Sequence, residues 1–203
     1  MATVLSPAPK GRPREFCTDA ALAKALHIFW TKGYEGASIT DLTEAMGITR
    51  PSLYAAFGNK ESLFRKALDL YEREKLDYMR CALDAPTARG VVERLMRGGV
   101  ANQTSEADAK GCLGVISTVT CGDDAQGIRD EVIARRASSR AALIERFERA
   151  RAQGDFGTEI DVEALINYLF AFLQGLAVQA GSGATRGELD RTVDLALKFW
   201  PTR

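Results

Sequence analysis

The chain has 203 residues, 46% of them hydrophobic, with 27 lysines and arginines against 27 aspartates and glutamates. That is enough apolar material for a globular protein of one large domain, or a small and a medium one. The balanced charge supplies no overall field for nucleic acid, so only the placement of charges can support such a partner; residues 1–60 hold seven basic against five acidic residues.

The four cysteines, Cys17, Cys81, Cys112 and Cys121, include no pair two to four apart, and His27 is the only histidine. No metal-ligand spacing follows, and no metal or cofactor is expected. Met1 to Pro9 lacks the charged start and apolar core of a secretory signal, which predicts a reduced, cytoplasmic chain. No uninterrupted apolar run reaches the roughly eighteen residues of a membrane span, so no membrane partner is expected. Nucleophile-elbow, phosphate-loop and histidine-dyad motifs are missing as well. A helical enzyme is therefore the remote alternative.

The chain opens with a proline-containing stretch and then Lys10-Gly11-Arg12-Pro13-Arg14. Residues 1–14 read as a flexible basic arm, on composition alone no more than stray basic residues. Thr18 starts the first helix, with Ala21, Leu22, Ala25, Leu26 and Phe29 as its apolar stripe and Gly33 as its end. Ser38 followed three residues later by Asp41 reads as a capping box, and Leu42, Ala45 and Met46 face inward. Gly47 stops that helix in a left-handed conformation and Ile48 fills the corner. Thr49 caps the next helix, where Pro51 is tolerated and Leu53 and Phe57 point inward. Arg50, Ser52, Tyr54 and Ala55 then form an outer face suited to a major groove. Gly58 and Asn59 end this helix and cap the next, placing Lys60 and Ser62 at a helix start suited to phosphate. The pattern is a helix-turn-helix.

The stretch FWTKGYEGASITDLTEAMGITRPSLYAAFGNKESLF, with GRPRE upstream, resembles the N-terminal domain of the tetracycline-repressor (TetR) family of bacterial regulators, in its AcrR-like branch. The resemblance implies an all-α homodimer: an N-terminal three-helix helix-turn-helix domain over residues 15–60 and a C-terminal helical ligand-binding and dimerisation domain over residues 61–203. It further implies a double-stranded DNA operator and a small-molecule effector as partners, and most simply a repressor. Arg50, Ser52 and Ala55 would read bases, while Thr40, Thr49, Tyr54 and Lys60 would hold backbone and Arg12 and Arg14 of the arm would meet backbone or minor groove.

Beyond the motif, the helical pattern runs from Glu61 to about Asp84 without a breaker, and then from Ala88 to about Asn102. Gly111 to Val119 is rich in β-branched residues and reads as a strand by propensity. The resemblance instead implies a short buried helix lining a pocket. Asp124 to about Gln153 is a long charged helix whose Arg135, Arg136 and Arg140 read as a solvated face interleaved with acids, not as a second nucleic-acid surface. Val162 to about Ala180 is apolar nearly all round and must be covered on both sides, by the chain itself or by a second copy. Leu189 to Trp200 supplies the last stripe; the resemblance makes these two helices the dimer interface.

Met96, Cys112, Ile116, Phe147, Tyr168, Phe170 and Gln174 are the candidate pocket residues, each also readable as plain core. Their apolar and aromatic character predicts an aromatic or amphipathic effector, not a sugar or phosphate. Cys112 or Cys121 could alternatively serve a thiol-based sensor of oxidants or electrophiles. Nine residues apart on one helix, they lie half a turn out of phase and cannot bridge within it.

Overall fold

The structure is a computed structural model, and it describes residues 17–119 and 125–200. The basic arm with Arg12 and Arg14 lies outside those residues, as does Cys121. The described residues form ten α-helices and no strand.

The first four are α1 (Thr18–Gly36), α2 (Ile39–Met46), α3 (Arg50–Phe57) and α4 (Lys60–Lys75). Their inward residues make one core, in which Phe29, Trp30, Leu42, Leu53, Leu63 and Phe64 are fully buried. Within α1 the backbone leaves helical geometry at Gly33 (φ 72°, ψ 175°), a region open to glycine and costly for other residues. The division expected after residue 60 coincides with the start of α4. Its apolar face nevertheless belongs to the N-terminal core, through Leu63, Phe64, Ala67, Leu68, Leu70 and Tyr71.

The run predicted from Glu61 to Asp84 is broken. After Lys75 the backbone at Leu76 (φ −110°, ψ 4°) leaves the helix, and a separate α5 (Asp77–Ala82) follows. The cause lies far along the chain, in α6 (Ala88–Gln103). A Cβ at Gly98 would collide with the Tyr78 ring, so the bare glycine provides the slot into which α5 lays that ring. Leu76 packs on the first core, whereas Tyr78 and Met79 pack on the second, and the bend transfers the chain between them.

The short α7 (Leu113–Val119) is helical despite its β-branched residues, with the Val115 and Ile116 amides donating to the Cys112 carbonyl. Tertiary burial overrides strand propensity here. The remaining helices are α8 (Gln126–Ala152), α9 (Val162–Gly181, capped by Asp161) and α10 (Arg186–Lys198, with a Thr185–Glu188 capping box). α5, α6, the C-terminal half of α8, α9 and α10 share the second core around Leu95, Met96, Phe147, Ile166 and Leu169.

The arginines of α8 are structural, in contrast to the solvated face expected of them. Arg146 is buried and donates to the carbonyls of Leu83, Ala85 and Pro86. Arg140 reaches Asn167 and Glu163 of α9. Arg135 reaches Asp69 and Glu72 of α4.

α9 is covered on one side only. Leu165, Ile166, Leu169, Leu173 and Leu176 pack inward, while Tyr168 and Val178 are exposed, joined by Leu195 of α10 and by Phe199 just after it. By length and mean hydropathy alone α9 could cross a membrane, but its inner face is core and its outer face is a small-to-aromatic stripe of the kind that packs against another helix pair.

The two cores meet at Gly111. The buried Trp30 indole donates to the Gly111 carbonyl at 3.2 Å, and the Gly111 amide donates to the Gln103 carbonyl at 3.0 Å. Gly111 has φ +82°, and an added Cβ would stand 3.0 Å from the Ala177 carbonyl oxygen of α9. Gly111→Ala is therefore expected to cost about 1–3 kcal/mol of unfolding free energy through strain and crowding, read as a lowered urea midpoint.

Candidate nucleic-acid interface and effector cavity

The helix-turn-helix corner is fixed by local chemistry. The Asp41 amide donates to Ser38 Oγ at 3.0 Å and the Ser38 amide donates to Asp41 Oδ2 at 2.9 Å, completing the capping box. Lys32 Nζ holds the other Asp41 oxygen at 2.6 Å. Gly47 (φ 70°) ends α2 and the Ile48 amide returns to the Thr43 carbonyl at 3.1 Å. Thr49 and Asn59 then cap α3 and α4 through the amides of Ser52 and Ser62.

On α3, Arg50, Tyr54 and Ala55 are exposed on one outer face, with Pro51 beside them, while Leu53 and Phe57 are buried. Ser52 departs from this set. It is half-buried, its hydroxyl 2.9 Å from that of Thr49, which places it at the cap and away from the outer face. Arg50 Nη2 donates to Thr40 Oγ1 at 2.8 Å, so the guanidinium is held by the neighbouring helix. Lys60 Nζ lies over the Tyr34 ring, 4.5 Å from its centroid, and contacts the Glu35 carbonyl.

A cavity of about 490 Å³ lies between α4, α5, α7, α8 and α9. Of the residues proposed for it, Cys112, Phe170 and Gln174 line it. The other four lie elsewhere. Met96 is fully buried in the second core, and Phe147 packs on Phe156 and Trp200 at ring distances of 6.1 and 6.3 Å. Ile116 is turned to the first core, and Tyr168 is 51% exposed on the outer face of α9. The Val91 to Val100 face of α6 is core rather than wall; only Gln103 at its end reaches the cavity.

Tyr71, Glu72, Met79, Leu83, Arg135, Arg136 and Leu143 complete much of the lining. Tyr71 Oη donates to Cys112 Sγ at 3.4 Å, and its ring meets Trp30 edge-on at 4.8 Å. Burial, reinforced by the adjacent Cys112, pushes the Tyr71 phenol well above its ordinary value, so it remains a donor.

Beside the cavity, Arg65 and Arg135 bind Glu131, and Arg135 also binds Asp69 at 2.7 Å and Glu72 at 2.9 Å. Desolvation opposes charge on Arg135, but its bonds to Glu131 and Asp69, with Glu72 nearby, outweigh it and raise its pKa. Glu131 is likewise partly desolvated, yet Arg135 and Arg65 hold its carboxyl below the ordinary value.

The capping box carries a pH dependence. Lys32 first, then the Ser38 hydroxyl and amide, hold the exposed Asp41 carboxyl well below its ordinary value of 3.8. A lowered native value means that the unfolded chain takes up the proton first. The stabilisation is present above about pH 4 and is lost as pH falls toward the native value. Asp41→Asn should lower the urea midpoint at neutral pH and flatten its dependence between roughly pH 5 and 2.

Residues 21–67 match the family of bacterial regulatory proteins, tetR family. The chain is 32% identical over 200 residues to the HTH-type transcriptional repressor ComR of Escherichia coli (strain K12), spanning 95% of this chain and 92% of ComR. It is 30% identical to the uncharacterised HTH-type regulator YezE of Bacillus subtilis (strain 168), over 92% of this chain and 97% of YezE. Among solved structures it is similar to a cysteine mutant of the TetR family transcriptional regulator CifR complexed with 26 bp double-strand operator DNA. Identity is 44%, the TM-score is 0.87, and the match covers 94% of this chain and all of that one. The helix-turn-helix corner, the all-helical second core and these relatives agree: the chain belongs to the tetR family of bacterial transcriptional regulators.

Proposed function

We propose that the protein is a cytoplasmic, non-enzymatic repressor that binds a palindromic double-stranded operator as a homodimer and leaves it when a small molecule fills the cavity. The observation that carries this reading is the outer face of α3, where Arg50, Tyr54 and Ala55 stand exposed on a corner locked by three side-chain caps. Pairing through the exposed faces of α9 and α10 would set two such helices into successive major grooves, about 34–36 Å apart.

Arg50 and Ala55 are the base readers in this reading, an arginine forking onto guanine and a small apolar surface meeting a thymine methyl. Thr40, Thr49, Tyr54 and Lys60 hold backbone. Ser52 serves mainly through the cap. Arg12 and Arg14 would add contacts from the arm.

The cavity walls include Leu68, Tyr71 and Glu72 of α4, the helix that also packs beneath α1. A ligand that separates α4 from α8 strains the Arg135 bonds to Asp69 and Glu72 and tilts the DNA-reading helices, favouring a spacing that does not fit the operator.

A thiol-sensing reading is favoured by one observation: Cys112 Sγ lies in the cavity wall with the Tyr71 hydroxyl donating to it. Cys112→Ser separates the two. Oxidant-triggered release lost with ligand-triggered release kept would support sensing by the thiol; release by oxidant unchanged in the variant removes it.

The primary test is selection of bound genomic fragments at about 150 mM salt. Wild-type protein should recover a short two-fold-symmetric sequence. Arg50→Ala should relax preference at one position of each half-site, a loss of about 1–3 kcal/mol of discrimination. Lys60→Ala should weaken all sequences alike and lower the salt slope by about one. Equal loss of discrimination in both variants contradicts these assignments.

A further inference from the structure

Among the described residues, the cavity wall contains a cation without an acidic partner. Arg65, Arg135 and Arg140 all end on carboxylates, but Arg136, half-buried and lining the same cavity, has no acidic partner among the described residues. Its guanidinium lies along the backbone of α7. A Cβ built on Gly114 would stand 3.3 Å from Arg136 Nη2 and 3.7 Å from Nε, so the fork lies against the bare face of Gly114. A partly desolvated guanidinium with unused donors is costly unless something negative accepts them.

Glu72, the one acid among the described wall residues, cannot serve. It is engaged by Arg135, which also holds Asp69 and Glu131. No free carboxylate there opposes an incoming anion. A second polar group is also unsatisfied: Gln103, 5% exposed and in the same wall, has its carboxamide oxygen buried without a hydrogen-bond partner. The rest of the surface is mainly apolar, with Met79, Leu143 and Phe170 among its residues.

Resting on the regulator reading above, we infer that the effector is an amphipathic organic carboxylate, an alkyl or aryl body with its carboxylate forked onto Arg136. Guanidinium and carboxylate match in planar bidentate geometry, and the pairing strengthens in a site that excludes water. The apolar body fills the remainder, as in pockets of about 300–1,000 Å³ with a few placed polar groups. An anion here also sits beside Arg135 and competes with Glu72 for it, which loosens α4 from α8.

The test titrates full-length protein with decanoate, decanol, decylamine and phenylbutyrate, reading binding by calorimetry and operator release by fluorescence anisotropy. Wild type should bind decanoate roughly tenfold or more tightly than decanol or decylamine, the scale of one charge-assisted pair. Arg136→Gln should lose that preference while binding operator normally without additive, and Arg136→Lys should keep part of it. Wild-type protein that binds the alcohol as well as the acids, or binds neither acid, overturns the inference, as does an Arg136→Gln variant that still prefers decanoate. The operator arm is separate: protein that prefers decanoate yet ignores operator DNA keeps the anion site and removes the regulator reading.

Discussion

The bond from the Trp30 indole to the Gly111 carbonyl is the constraint on which the rest of the molecule depends. It adds a directional tie to the apolar packing of Leu113, Ile128 and Val132 in the core of the DNA-reading helices. With it, α1 is fastened to the loop before α7, and that loop is fastened to the end of α6 by the Gly111 amide and pressed against α9. Trp30 also packs on Tyr71, and Tyr71 touches both the cavity and Cys112. The wall that meets a ligand and the pillar under the recognition unit are thus the same residues. Close-packed interiors transmit such displacements because they have little free volume to absorb them.

The polar seam between α4 and α8 has a different character. Arg65 is 43% exposed and Asp69 60% exposed, so these pairs are screened and worth about 0–1 kcal/mol each. Burial of Ile128 and Val132 in the core that also takes the apolar face of α4 positions α8 more firmly than this seam does. A weak seam is nevertheless what a switch requires: allosteric coupling is typically about 1–3 kcal/mol, and an interaction much stronger than that could not be overcome by a small molecule.

The DNA-reading unit was legible in the sequence because its determinants are local. Ser38 with Asp41, Gly47, Thr49 and Asn59 each act within three or four residues, and the structure has every one of them in the expected role. Ser52 is only half-exposed because a hydroxyl three residues past a capping threonine turns back toward it. The second half was less legible. Nothing near Leu76 announces a break; the slot at Gly98 does, and contact across helices cannot be read from spacing. Cavity and core residues share one composition, so Met96 and Phe147 passed for lining, while Arg135 and Arg136 passed for a solvated face. Only the packing angle of α8 against α4 and α7 separates them.

The uncovered stripe on α9 and α10 has a consequence for the cell as well as for the fold. Where two chains must meet before either can grip a symmetric site, occupancy at low abundance rises with the square of the chain's concentration, and burial of Tyr168, Val178, Leu195 and Phe199 makes folded stability rise with it. The number of copies made then becomes a second input beside the effector, and a cell that halves its supply of this chain cuts operator occupancy about fourfold in the dilute limit, with no ligand present.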